Sequence, residues 1–217
     1  MHADFPDLNA VRDRMGGTDR LIGTCPDAGS AYRRLVAISY PDPLLSDEVL
    51  RLRPWSLGDL DCVREAGTDP AILSNTTVPS RWTVDAGRAF IGRQRTRIES
   101  GEGISLAIHD LELDRAVGLV SLMLRPQPSV IGLGYWVVPG ARQRGLARRA
   151  AMLASGWAIG PGGYARIEAW VEPDNQASLS VLHAAGFELE GRLRSFLAIG
   201  DSRSDALVYA RVASSGS

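Results

Sequence analysis

Residues Gly134–Ala150 read GYWVVPGARQRGLARRA. The first half, apolar and rich in aromatic and β-branched residues, is a strand; Pro139 stops it, and from Gly145 the spacing of Leu146 and Ala150 opens a helix. A strand that runs into a helix leaves the first backbone N–H groups of that helix without partners. Together with the positive end of the helix dipole these groups favour a phosphate. Gly145 lets a ligand come close to the backbone, Ala147 keeps the first turn thin, and Arg142 and Arg144 add charge and forked donors. The stretch therefore predicts a diphosphate cradle between Val138 and Ala147. An ordinary basic helix start is the plainer alternative, and the short pattern R-x-x-G-x-A does not separate the two.

Working outward, Val130–Val138 completes a three-stranded antiparallel meander with Ile104–His109 and Ala116–Arg125, whose turns are marked by "DLELD" and "PQPS". Upstream, Val49–Trp55 alternates as a strand. Leu57–Ala66 is a helix with Ser56 and Asp59 as cap groups, Pro70–Trp82 is a loop, and Thr83 caps a helix to about Glu99. The arginines of that helix, Arg88, Arg93, Arg95 and Arg97, are placed mostly on its wet side. Downstream, the helix Gly145–Ile159 carries Leu146, Ala150, Leu153 and Trp157 on one face. There follow the strand Ala165–Val171, the helix Asn175–Ala185 closed by Gly186, and a hairpin of Leu189–Ile199 with Ala206–Val212. Glu188, Glu190, Arg192 and Arg194 read as a charge-paired strand face. The order predicts a mixed α/β sheet. Residues 1–47 are turn-rich, with one helical candidate at Ser30–Ile38, and are read as an extension of unknown role. The domain is placed at 48–213 and a flexible tail at 214–217.

Bulk properties narrow the chemistry. With 217 residues, 45% of them hydrophobic, the chain can bury one sizeable core, and a net charge of -1 supplies no global field toward nucleic acid or an anionic membrane. Any anion site must be built locally. The sequence has no lysine, which excludes a lysine-bearing phosphate loop and Schiff-base catalysis. "GLGYWV" lacks the third glycine of a dinucleotide fingerprint. Cys25, Cys62, His2, His109 and His183 form no metal-ligand spacing, so no metal is expected. The start lacks a secretory signal, and Ala116–Leu124 is too short to span a bilayer; a cytoplasmic location is expected.

"GYWVVP" with "RQRGLA", then "VEPDNQASLSVLHAAGF" and "EGRLRSFLAIGDSRSDALVYAR", resembles the GNAT acyl-CoA N-acyltransferases, most of all their Rim-type branch, the ribosomal-protein N-terminal alanine and serine acetyltransferases. The similarity runs from about Leu50 to Arg211. It implies the GNAT fold: a mixed, mostly antiparallel sheet with helices on both faces and a splayed strand pair forming an acyl-CoA slot. Acetyl-CoA is the implied co-substrate, held by Val137 and Val138 on the pantetheine arm, by the amides of Arg142, Gln143, Arg144, Gly145, Leu146 and Ala147 on the pyrophosphate, and by Asn175. Ser178 is similar to a serine that can protonate the departing thiolate; a helix first-turn hydroxyl satisfied locally is the equal alternative. Arg81, Trp82 and the turn Gly200–Ser204 are implied to border the acceptor pocket. Relatives commonly dimerise.

The resemblance also exposes a gap. Relatives often carry a glutamate just before "GYW" or on the penultimate strand, and here Gly132 and Leu197 stand at those positions. Glu168, Glu172, Tyr135, His109 and His183 are substitute bases, none of them singled out by the sequence. An α-amine near pKa 8 is roughly a tenth neutral at pH 7, whereas a lysine amine near 10.4 is almost wholly charged. A site without a strong base therefore suits a peptide or protein N-terminus, or a small amine of similar pKa. The alternative is a CoA-binding module without catalysis, and nucleic-acid binding stands third.

Overall fold

The computed structural model describes residues 38–199 and 202–214. Seven strands form one sheet in the order β1-β2-β3-β4-β5-β7-β6. They are β1 (Leu50–Pro54), β2 (Gly103–Asp110), β3 (Arg115–Leu124), β4 (Val130–Val137), β5 (Arg166–Val171), β6 (Glu188–Ile199) and β7 (Ser202–Val212). All neighbours are antiparallel except β4 and β5. That parallel pair is joined by a crossover helix, as parallel strands require. The helices are α1 (Leu60–Ala66), α2 (Pro70–Asn75), α3 (Val84–Thr96), α4 (Leu146–Ile159) and α5 (Gln176–Ala184). The predicted strands and their order match these elements. The helical candidate Ser30–Ile38 up to residue 37, Cys25, His2, Gly200 and Asp201 of the predicted turn Gly200–Ser204, and the tail end 215–217 lie outside the described residues.

Local chemistry explains the helix ends. Ser56 N donates to Asp59 Oδ2 at 2.8 Å, and a short 3-10 turn at Leu57–Asp59 leads into α1. Thr83 accepts from Ala86 N at 3.0 Å and caps α3, while Asn175 accepts from Ser178 N at 3.0 Å and caps α5. The predicted loop Pro70–Trp82 contains a helix instead. Asp69 caps α2 through Ala71 N at 2.8 Å, and Pro70, at the first helical position, has a fixed φ suited to starting a helix. Proline was thus a start signal here, not a boundary.

Packing corrects the reading of α4. Its buried face is Leu146, Ala150, Ala151, Ala154, Ser155 and Ala158, whereas Leu153 and Trp157 are only half-buried. Small side chains let this helix lie close to the sheet, and close approach selects volume over hydrophobicity. The core on the opposite flank is built from larger groups: Trp55 packs edge-on to Phe90 at 5.7 Å and tilted against Trp136 at 6.1 Å. The charge pairing on β6 also differs from expectation. Arg192 pairs with Asp205 of β7 at 2.6 Å, and Glu190 with Arg166 of β5 at 2.5 Å; a bulge at Leu189–Gly191 shifts the β6–β7 register between them.

Residues 38–47 are knitted to the sheet. Ile38 is buried, Leu52 N donates to Leu45 O at 2.8 Å, and Asp47 accepts from Val49 N and Leu50 N and pairs with Arg149 of α4. The packed unit therefore begins before residue 48. Among the described residues no helix is long and apolar enough to cross a membrane, and no group of His, Cys, Asp and Glu could hold a metal ion.

Candidate active site

β4 and β5 pair only at Val130, Ile131 and Gly132, opposite Arg166, Ile167 and Glu168. Beyond Gly132 they part. The opening leads into a cavity of about 1040 Å³ whose walls include Tyr135, Trp136 and Val137 from β4 and Ala169, Trp170 and Val171 from β5. This is the splayed pair that the family resemblance implied.

The cradle lies at the C-terminal end of β4. Gln143 has φ 63° and Gly145 φ 74°, so two left-handed residues fold the backbone into a concave turn just before α4. Left-handed backbone at a non-glycine residue is costly, and such positions cluster where a ligand is gripped. Among the described residues, the amides from Gln143 through Arg148 donate to no backbone acceptor. Gln143, Gly145, Leu146 and Ala147 line the cavity. This row of unsatisfied N–H groups, at the positive end of α4, fits a diphosphate.

The arginine side chains are arranged differently from the sequence reading. Arg142 donates from Nε to Val137 O at 3.0 Å and pairs with Asp69, so it ties the cradle to β4 and α2. Arg144 is held by Asp110 and Glu112, and its side chain does not line the cavity. Both guanidinium groups are ion-paired, and Arg142, unlike Arg144, still lines the cavity. Arg148, exposed in the first turn of α4, lines the cavity and forms no ion pair among the described residues. The sequence reading missed it; its place one residue beyond Ala147, in the first turn, was the available signal.

On the other wall, Asn175 Oδ1 serves as the α5 cap, and Asn175 and Ser178 both line the cavity. The Ser178 hydroxyl has no hydrogen-bond partner among the described residues, so it is not the locally satisfied group that was the alternative. Tyr135 donates from its phenol to Ser178 O at 3.2 Å, which bridges the slot from β4 to α5. Burial pushes the Tyr135 phenol up to about 12 against the weaker effect of that hydrogen bond, and so keeps it protonated at neutral pH.

The substitute bases fare unequally. His109 contacts Arg53 and Asp114 at the far end of β2, and His183 contacts the Tyr209 hydroxyl; neither lines the cavity. Glu168 pairs with Arg125 at 3.0 Å and Arg166 at 3.5 Å, behind the cavity wall. Glu172 lines the cavity and reaches Asn75 Nδ2 at 3.4 Å. Leu197 presents an apolar side chain to the cavity, and the space a side chain at 132 would take is filled by Arg125, whose guanidinium lies 2.5–2.7 Å from an added Cβ. Arg81 and Trp82 do not line the cavity; Thr76 and Thr77 do, and Trp82 packs instead on Gly87 of α3.

Comparison with known proteins agrees with this geometry. Residues 50–188 match the model of the acetyltransferase (GNAT) domain. The chain is 31% identical over 131 residues to "Probable N-acetyltransferase YjcK" of Bacillus subtilis, spanning 59% of this chain and 72% of that protein. A GNAT acetyltransferase from Bacillus anthracis superposes with a TM-score of 0.69 at 19% identity, over 79% of this chain and 99% of that one. Mycobacterium smegmatis RimJ, solved with a CoA-disulfide, superposes with a TM-score of 0.67 at 24% identity, over 76% and 82%. The fold, the orphaned amides beside the splayed strands and the family match over most of the sheet agree, and the chain belongs to the GNAT family as an N-acetyltransferase that uses acyl-CoA as co-substrate.

Proposed function

We propose that the protein transfers an acetyl group from acetyl-CoA to the α-amine of a peptide or protein N-terminus or to a small-molecule amine of similar pKa, by direct attack on the thioester. The observation that carries this reading is the row of free amides from Gln143 to Arg148, which opens onto the slot between β4 and β5. Diphosphate held there directs the pantetheine arm along Val138 and Val137, with Asn175 opposite. The neutral amine attacks the carbonyl carbon, the C–S bond breaks, and the nitrogen loses a proton to solvent. Positioning of two substrates in one slot supplies a large share of the rate, and a backbone N–H at the β4 edge polarises the carbonyl.

The thiolate needs a proton. Ser178 offers an uncommitted hydroxyl, and Tyr135, protonated at neutral pH, is its neighbour across the slot. Neither is a base. Leu197 is apolar and the space at Gly132 is filled by Arg125, so neither position supplies a carboxylate, and Glu172 is the one substitute carboxylate among the described residues that lines the cavity; an acceptor that is partly neutral at pH 7 suits this site, which favours an α-amine over a lysine side chain.

The test is thiol release from acetyl-CoA with a panel of α-amines, N-terminal peptides and lysine-type amines, alongside calorimetry of acetyl-CoA. Expected are binding, turnover with α-amines, and a loss of kcat in Ser178→Ala or Tyr135→Phe with affinity for acetyl-CoA kept. Binding without thiol release across the panel would instead support the non-catalytic CoA-binding module.

A further inference from the structure

The cavity end remote from the cradle holds two guanidinium groups that acyl transfer does not use. Arg97 follows the last turn of α3, Arg125 follows β3, and both line the cavity. Arg97 Nη1 touches Met123 Sδ at 3.0 Å, and Met123 sits opposite Gly132 in the β3–β4 ladder; Arg125 lies against Gly132 itself. Met123 and Arg125 are two residues apart, which puts them about 7 Å from each other along one strand direction. From Gly132 to Val138, where the cradle begins, β4 rises roughly 20 Å. These charges are therefore beyond the diphosphate, at the closed end of the slot where β4 and β5 still pair.

Arg125 is built into place. Its guanidinium stacks on Trp170 at 4.0 Å, and its Nε lies 3.0 Å from Glu168 Oε1, in an ion pair without hydrogen-bond alignment. Gly132 is the residue that leaves it room. Arg97 forms no ion pair among the described residues. Glu168 is the one carboxylate in ion-pair contact with these two cations among the described residues, and it is shared with Arg166. Burial lowers the pKa of both Arg97 and Arg125 and outweighs the opposing carboxylates, Glu102 for the first and Glu168 for the second. The surrounding walls, with Phe90, Leu119 and Leu133, are apolar.

We propose, building on the acyl-transfer reading above, that the acceptor amine also carries an oxyanion, a carboxylate or a phosphate, which Arg97 and Arg125 bind at the closed end of the cavity while the amine points back into the slot. Guanidinium forks match the paired oxygens of such groups, and a partly desolvated fork discriminates charge more strongly than an exposed one. Gln94, buried one turn before Arg97 on the same helix face, adds an uncharged hydrogen-bonding group to that end. An amino-acid-like acceptor satisfies the pattern: amine, short apolar body, anion.

The experiment reads product binding separately from turnover. The CoA-loaded protein is titrated calorimetrically with N-acetylglycine and N-acetylphenylalanine, with their uncharged amides, and with N-acetyl-O-phosphoethanolamine. Expected is at least about tenfold tighter binding of the acids, or of the phosphate compound, than of the amides, with the better anion identifying the oxyanion. Arg97→Gln should erase that preference without changing CoA affinity, and Arg125→Gln is the second variant should either fail to fold. Equal binding of acids and amides, no binding of any of the five, or a preference untouched by both variants would overturn the proposal. Turnover of the corresponding free amines is scored apart: anion-selective product binding with no thiol release would sink the catalytic reading and leave this site standing.

Discussion

At the residue scale, Gly132 and Arg125 are one design. The β4 strand carries glycine where a side chain would meet the Arg125 guanidinium at 2.5 Å, so Gly132→Glu should not restore a base; it should push Arg125 off Trp170. The expected outcome is a loss of tryptophan-fluorescence perturbation at Trp170 with no gain in kcat, and a gain in kcat would show that the site had merely lost its carboxylate. Tyr135 makes a second prediction at this scale. Because burial raises its phenol to about 12, it stays protonated across the assay range, so kcat/KM should rise through the acceptor amine's pKa near 8 and then stay level to at least about pH 10. Tyr135→Phe should lower the level of that profile by about a hundredfold if the phenol delivers the proton, and leave its shape alone. A falling limb between pH 7 and 9 that disappears in the variant would contradict the raised pKa.

At the scale of elements, α4 makes both the cradle and part of the core, with mostly small residues on the face it buries. Ala147 in the first turn faces the cavity, so Ala147→Glu places a carboxylate among the amides meant for diphosphate. Acetyl-CoA affinity measured by calorimetry should fall by more than tenfold, since the helix N-terminus would then be satisfied internally. Further along, Ala154 is fully buried against the sheet. Ala154→Leu should cost about 1–3 kcal/mol through overpacking, read from denaturant unfolding, where an exposed alanine would tolerate the change. The helix α2 belongs to the same argument: Asp69 both caps it and tethers Arg142, so a loop read from its proline was in fact a short helix that anchors the cradle.

For the whole molecule, ion pairs fasten the cradle loop to the rest. Burial alone would raise the carboxyls of Asp59 and Asp110, but the Arg53 and Ser56 bonds to the first, and the Leu113 amide and Arg144 to the second, outweigh it and hold both below the ordinary aspartate range. A carboxyl lowered in the folded state stabilises fully above its unfolded pKa, near 4, and the stabilisation is lost as pH falls from there through the folded values. Thermal midpoints should therefore be flat from pH 7 to 5 and drop below about 4, and Asp59→Asn should shallow the drop while lowering the midpoint at pH 7. An unchanged acid limb in that variant would remove Asp59 from the account.

The sequence by itself determined the order of strands and most helices, the glycine-bearing turn into α4, and the Asn175–Ser178 block, because periodicity, caps and turn residues act within a few positions of one another. It carried the family as well, since short motifs in fixed order need no tertiary contact to be read. Only the tertiary structure decided which arginines remain available. Arg142 and Arg144 are paired by Asp69, Asp110 and Glu112, all distant in sequence, while Arg97, read as solvated, and Arg125, read only as the end of a strand, line the cavity. The physical reason is that a backbone amide's fate is set by the local fold, whereas a long charged side chain is assigned by whichever opposite charge the fold brings within its reach.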